Sequence, residues 1–246
     1  MFRRCIRLSP SVNPSHRVAS SKRGDVSAAL ARASKAIDVS FEFPYLAHAA
    51  MEPLNATIEK ASDGTYDVFA GCQLQTIEQA VVAATLGVTT DKVRLHTQWA
   101  GGSFGRRATP GADYLAEAAS ILKAYGAKAP VHLVWTREDD MAGGYYRPSV
   151  LHKIRAGLDA KGAVTGWQHV MVGKSIMIGS PFEAMLVKNG VDATTVEGAS
   201  DTAYALPAYR FEVHNAREGV PVLWWRSVGH THTAQAMEVF VDELAA

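Results

Sequence analysis

The heptapeptide Gly101-Gly102-Ser103-Phe104-Gly105-Arg106-Arg107 concentrates more chemistry than any other segment of this sequence. Its three glycines open the backbone to positive φ and to close approach by a ligand. Consecutive N–H groups in such a loop can form an anion-binding concavity. The spacing is neither Gly-x-Gly-x-x-Gly nor a P-loop, because no Lys-Ser/Thr follows. An ordinary turn and an anion or cofactor contact both fit it. Gln73 and Gln75 stand where a strand gives way to a helix, so an amide there can meet a ligand or simply cap the helix. Arg226 follows the apolar run 222–225. A guanidinium at the end of a buried strand needs an anionic partner, a phosphate or a carboxylate.

Other polar residues offer weaker chemistry. His48 and Glu52 are four apart and would share a helix face as metal ligands, but Pro53 points to a turn and no third ligand is evident. His230 and His232 alternate, so they could share one side of a strand or lie in a loop. No metal site is expected from them. Cys72 reads as a buried thiol, not a nucleophile.

The elements that must hold these residues follow from hydrophobic period and punctuation. Asp25 caps a helix over 26–36, and 37–43 alternates as a strand. Residues 57–58 and 66–69 form a hairpin around Asp63-Gly64. A helix over 76–86 stops at Gly87. A strand over 93–97, the glycine loop, a helix over 112–125 and a strand over 131–135 come next. A hairpin joins 151–158 to 164–172. Residues 176–204 read as a loop with helical pieces. Strands over 210–215 and 220–225 precede a helix over 233–244. Hairpins mixed with helices give an α+β class of mixed sheets and packed helices.

Composition sets the outer limits. The 246 residues are 48% hydrophobic and 20% charged, which is ordinary for a globular chain. With 25 basic and 24 acidic residues the net charge is +1, which argues against a dedicated nucleic-acid binder. Two cysteines, Cys5 and Cys72, exclude a disulfide scaffold and a cluster held by four cysteines of this chain. No apolar run is long enough for a membrane-spanning helix. Residues 1–23 are basic and rich in Ser and Pro, and they read as a disordered leader ahead of one domain over 24–246. The Arg3-Arg4 pair is not followed by an apolar stretch, so no complete secretory signal is present and the chain is expected to be cytoplasmic as encoded.

Five segments then stand in a telling order: AHAAMEP (47–53), GCQLQ (71–75), GGSFGRR (101–107), VWTRE (134–138) with Tyr146-Arg147-Pro148, and WRSVG…MEVFVDEL (225–244). Together they resemble the molybdopterin-binding large subunit of the xanthine dehydrogenase/aldehyde oxidase family, in its isoquinoline 1-oxidoreductase β-subunit form. The resemblance runs from Gly24 to Ala246 and implies the first part of a molybdenum-cofactor-binding domain. It implies that Gln73 hydrogen-bonds an oxygen ligand of molybdenum. It places Gly101, Gly102, Ser103, Phe104 and Gly105 against the cofactor, with the backbone at Phe104 and Gly105 closest to the metal. It places Arg226 on the substrate side. Ala108 stands where xanthine-oxidising relatives carry a glutamate, which points away from purines.

The implied chemistry is hydroxylation of an aldehyde or N-heterocycle carbon with water-derived oxygen. The implied cofactor is molybdopterin, as its cytosine dinucleotide. The implied partners are a [2Fe–2S] small subunit and the remainder of the large subunit, since the family's catalytic glutamate is expected beyond Ala246. The chain is therefore expected to be an internal piece, inactive alone. It is also expected to expose an apolar face including Trp224, Trp225 and the helix 233–244, and to bring Gln73 and the Phe104–Gly105 backbone to one cavity. Two rival readings are a non-catalytic remnant or assembly protein that keeps the fold, and a metal hydrolase using His48, Glu52, His230 or His232.

Overall fold

The computed structural model describes residues 18–217 and 219–246, which fall into two compact units where the sequence suggested one domain. The first comprises the segments up to Leu46, Pro148–Val222 and Ser227–Ala246; the second comprises Ala47–Arg147 and Leu223–Arg226.

The first unit is built on a five-stranded sheet. Its strands run in the order Val18–Arg23, Tyr209–Asn215, Val164–Gly173, Val150–Leu158, Lys35–Phe43. All neighbours are antiparallel except Val164–Gly173 and Tyr209–Asn215, which are parallel. One face carries Val150, Ile154, Trp167, Met171, Phe211 and Val213, all buried. The helix His230–Ala245 closes this face with Ala236, Met237 and Phe240, one helical stripe. The Phe240 ring meets Trp167 edge-on at 4.8 Å. The apolar side of this helix is therefore covered within its own unit, contrary to the expectation that it lines an exposed face.

Three imidazoles lie in this core. His152 Nδ1 is 2.7 Å from His169 Nε2, and His152 Nε2 is 3.0 Å from His232 Nδ1. Each of the two hydrogen bonds takes one proton. His169 Nδ1 is buried with no partner. A buried N–H left unpaired is the rarer and costlier defect, so that nitrogen keeps its lone pair. His169 then donates from Nε2 to His152, and His152 donates from Nε2 to His232. Burial holds His152 and His169 well below the ordinary imidazole range, His169 at about 3.

The second unit is a four-stranded sheet in the order Val93–Thr97, Tyr66–Ala70, Asn55–Lys60, Val131–Val134, with the helices Gln75–Leu86 and Asp113–Ala124 packed on it. Val82 and Ala83 from the first helix and Leu115, Ala118, Ala119 and Leu122 from the second are buried in one cluster with Ile58 and Val68. Tyr66–Ala70 and Val93–Thr97 are parallel, so the helix between them completes a strand–helix–strand unit. Gly87 ends that helix in the left-handed conformation, as its position predicts.

Several boundaries differ from expectation for local reasons. The helix begun by Asp25, whose side chain accepts from the Ala28 N–H, stops at Ala31 because the next residues join the sheet: the Ser34 N–H bonds Leu158 O. Residues 18–23, read as part of a disordered leader, are a strand paired with Tyr209–Val213; residues 1–17, Cys5 among them, lie outside the described residues. The strand expected over 220–225 does not form. Pro221 has no N–H to donate, only Val222 makes a bridge, and Trp224 turns its carbonyl to a side chain. His230 and His232 sit in the first turn of a helix, one exposed and one buried, not on a strand or in a loop.

Candidate active site

Gln73 lies just beyond the C-terminal end of the strand Tyr66–Ala70, one residue before the helix cap Leu74. Strand ends that lead into helices are where α/β units place their ligands. Leu74 offers no side-chain cap. The carboxylate of Glu78, fully buried, reaches back instead and accepts the N–H groups of Gln73 at 3.3 Å and Leu74 at 3.2 Å. Burial pushes its pKa up despite those bonds. The Cys72 thiol beside it is pushed up to about 12, first by burial and then by Glu78, so it is no nucleophile.

The Gln73 amide is held by the glycine loop. Ser103 Oγ donates to Gln73 Oε1 at 2.6 Å, and Ser103 Oγ in turn accepts the Arg107 N–H at 3.0 Å. The single hydroxyl proton is thus committed to the amide oxygen. The amide NH2 is left as the free end, without a partner among the described residues. Gln73 thus touches the glycine loop, 30 residues away, through Ser103.

Residues 103–106 form a tight turn closed by the Arg106 N–H on Ser103 O at 3.0 Å. Phe104 and Gly105 both have positive φ, 55° and 103°. That pair belongs to a type I′ turn. Neither central N–H makes a hydrogen bond among the described residues. The turn is pinned from below by Glu52, whose carboxylate accepts from Gly101 N–H at 2.7 Å, Arg107 Nη2 at 2.8 Å and Asn55 Nδ2 at 2.7 Å. Burial alone would raise Glu52, but those bonds outweigh it and hold it below the ordinary range. Arg106 is equally structural: it pairs with Asp113 at 2.6 Å and lies 5.5 Å from the rings of both Trp135 and Tyr145. Both loop arginines are buried and ion-paired inside the unit.

The segment 223–226 reaches this unit from far along the chain. His48 Nε2 donates to Trp224 O at 2.9 Å, and the Leu223 N–H bonds Tyr146 O. The Trp225 indole stacks on His48 (5.0 Å, 14°) and on Phe104 (5.6 Å, 8°). Burial lowers the His48 pKa, so its ring is neutral near pH 7. Arg226 then emerges exposed, with no ion-pair partner among the described residues, where the sequence suggested a buried group in need of one. A Cβ on Gly105 would come within 2.9 Å of Trp224 O, on a backbone already at positive φ. Gly105→Ala is therefore expected to cost about 2 kcal/mol and lower the melting temperature by roughly 4–8 °C in a thermal scan.

An open cleft of about 430 Å³ on the same unit is lined by Glu52, Pro53, Phe69, Trp99, His132 and Val134, among others, and by none of Gln73, Ser103, Phe104, Gly105 or Arg226. Among the described residues no three His, Cys, Asp or Glu side chains converge as a metal site, so the hydrolase reading has no ligand set. No described helix is long and apolar enough to cross a membrane.

The profile of the molybdopterin cofactor-binding domain matches residues 10–246. The chain belongs to that family. The isoquinoline 1-oxidoreductase subunit beta of Brevundimonas diminuta is 31% identical over 198 residues, covering 80% of this chain and 25% of the relative. Among solved structures, quinoline 2-oxidoreductase from Pseudomonas putida 86 superimposes with a TM-score of 0.74 at 16% identity, over 93% of this chain and 28% of the other. The aldehyde oxidoreductase from Desulfovibrio gigas gives 0.69 at 18%, over 94% and 24%. The fold is thus that of molybdopterin-binding domains, and the chain spans about a quarter of the length of the relatives it matches.

The donor set suits such a cofactor. Negatively charged oxygens call for N–H donors, and the site offers an amide NH2 fixed in orientation and two N–H groups of a tight turn that have no partner among the described residues. The aromatic stack, the hub at Glu52 and the buried cap at Glu78 were missed in the sequence. A carboxylate at Glu78, four residues before Val82 on the apolar helix face, was the one available signal.

Proposed function

We propose that this chain supplies the hydrogen-bond-donor side of a molybdenum hydroxylase site that oxidises an aldehyde or N-heterocycle carbon. The observation that carries it is the Ser103–Gln73 hydrogen bond, because it leaves the Gln73 NH2 as the outward donor. Molybdenum in its pterin, when bound, supplies the oxygen transfer and accepts the electrons. In this reading Gln73 Nε2 and the N–H groups of Phe104 and Gly105 stabilise charge that grows on oxygen, as an oxyanion hole does. Gly101 and Gly102 let the backbone pass close to the cofactor, and Ser103 orients Gln73. Arg226, exposed and unpaired, faces substrate and steadies a developing anion.

Every group in this set is a donor. The general base must therefore come from another segment, and we assign it to the remainder of the large subunit. We assign the electron path to a [2Fe–2S] small subunit, since two cysteines cannot hold a cluster. The cofactor we assign is the cytosine dinucleotide form.

The test is turnover with an artificial electron acceptor. The isolated chain is expected to oxidise neither aldehydes nor N-heterocycles. The chain assembled with the remaining large-subunit segment and the cluster subunit is expected to do so. Gln73→Ala in that assembly should lower kcat about 10²-fold at unchanged molybdenum content, the usual cost of one oxyanion donor. Turnover by the isolated chain, or a fully active Gln73→Ala assembly, overturns the assignment.

A non-catalytic assembly protein is the second reading. It draws on Trp99 and Met51, which are 101% and 89% exposed in the second unit. Large exposed apolar side chains mark interaction surfaces when they cluster.

A further inference from the structure

Phe104 is the anomaly of the site. It is a bulky residue in the left-handed region, with φ 55°, in a turn whose two central positions both need positive φ. Glycine satisfies this freely at Gly105, but an aromatic residue at Phe104 does not. The glycine-rich context offers an easier choice that the chain does not take. Something must hold Phe104 there, and its ring is where the unit grips it. The residue is 39% exposed, so the core does not fix it. One face lies flat on Trp225 at 5.6 Å and 8°. Trp225 also lies flat on His48 at 5.0 Å and 14°, and His48 is anchored by its own bond to Trp224 O. His48 is itself buried, 3% exposed. The order of support thus runs from the buried imidazole through the indole to the strained turn.

We propose that Trp225 is a positioning residue. Its indole, backed by His48, holds Phe104 in the left-handed conformation and so fixes the direction of the Phe104 and Gly105 N–H groups. The inference rests on reading those groups as donors of the site, and it adds a residue that acts on them through Phe104. It also explains why one aromatic residue sits in a loop where glycine would be conformationally easier. Phe104 makes the turn conditional on the segment 223–226, so that the donors and Arg226 are set together.

The test is amide hydrogen exchange on the 246-residue chain. The turn is reported by the Arg106 N–H, bonded to Ser103 O, and by the Arg107 N–H, bonded to Ser103 Oγ. Trp225→Ala is expected to speed exchange at both by about tenfold, the factor that relief of one left-handed residue supplies. Amides within the helix Asp113–Ala124 should keep their rates. Trp225→Phe should restore near-normal exchange, because a flat ring can still stack. In a Phe104→Gly background the turn needs no prop, so adding Trp225→Ala should change exchange by less than about twofold. Unchanged rates at Arg106 and Arg107 in Trp225→Ala overturn the proposal. So does equal acceleration in the Phe104→Gly background, or the same acceleration throughout the helix. No cofactor enters this experiment, so its failure leaves the role of Gln73 standing, and a failed turnover assay leaves the stack standing.

Discussion

Acidification from pH 7.5 to pH 5 is expected to remove about 4 kcal/mol from the stability of the five-stranded unit. His152 and His169 are fully buried among apolar rings, with Phe43 and Phe211 packed against them. Burial, then the neighbouring imidazoles, lower both, so the folded state stays unprotonated there while the unfolded chain takes up protons near pH 6.5. For a group whose folded pKa is lowered, stability is full above the unfolded value and is lost as pH falls below it. Each proton costs about 1.4 kcal/mol per pH unit, and two protons over about 1.5 units give the figure. The carboxylates held low, Glu52 and Asp67, the latter at about 2, give up their stabilisation only in more acidic solution. Glu78, raised by burial, works with the opposite sign in the other unit. Urea unfolding at pH 7.5, 6.5, 5.5 and 5.0 measures the effect. His169→Phe removes one of the two protons and should halve the dependence on pH. A urea midpoint that stays flat down to pH 5 would contradict the burial of a neutral imidazole chain.

Arg107→Ala is expected to cost about 3 kcal/mol, the low end for a buried ion pair, because the Arg107 side chain is buried while that of Glu52 is about a third exposed. The Arg107 side chain is completely buried, and it joins Glu52 at 2.8 Å to the backbone of Gly102 at 3.4 Å. Removing it leaves Glu52 with backbone and amide partners only, and opens a cavity under the glycine loop. The melting temperature should fall by roughly 6–12 °C. Replacing both members, Glu52→Gln with Arg107→Met, should be milder than Arg107→Ala alone, since no uncompensated charge stays behind. A loss under about 1 kcal/mol for Arg107→Ala would mean that the pair is not what holds the loop.

Most elements were legible where local rules decide them. Asp25 as a cap, Gly87 as a stop and the alternation at 93–97 are each settled within one turn or one strand. The segment 220–225 was not legible, because its apolar run reads as a strand while Pro221 and the pull of His48 on Trp224 decide otherwise. Arg226 looked buried because burial was inferred from the apolar residues before it. In fact the segment leaves the unit at that point. The site was legible as a set of types, Gln73 with a glycine loop, but not as a geometry. The Ser103–Gln73 bond, the ties of Glu52 to Gly101 and Arg107 and the ring stack join residues 30 to 177 positions apart, which no local period encodes. The imidazole chain was hidden for the same reason: His152 and His169 sit on alternating strands that show only that one face is buried.

The most direct measurement is the molybdenum and pterin content of the chain purified in assembly with the large-subunit segment and the cluster subunit proposed as its partners. We predict one molybdenum and one pterin per chain, retained in Gln73→Ala and lost in a chain whose loop is collapsed by Gly105→Ala together with Arg107→Ala. An assembly that forms in full and carries neither molybdenum nor pterin would contradict the account.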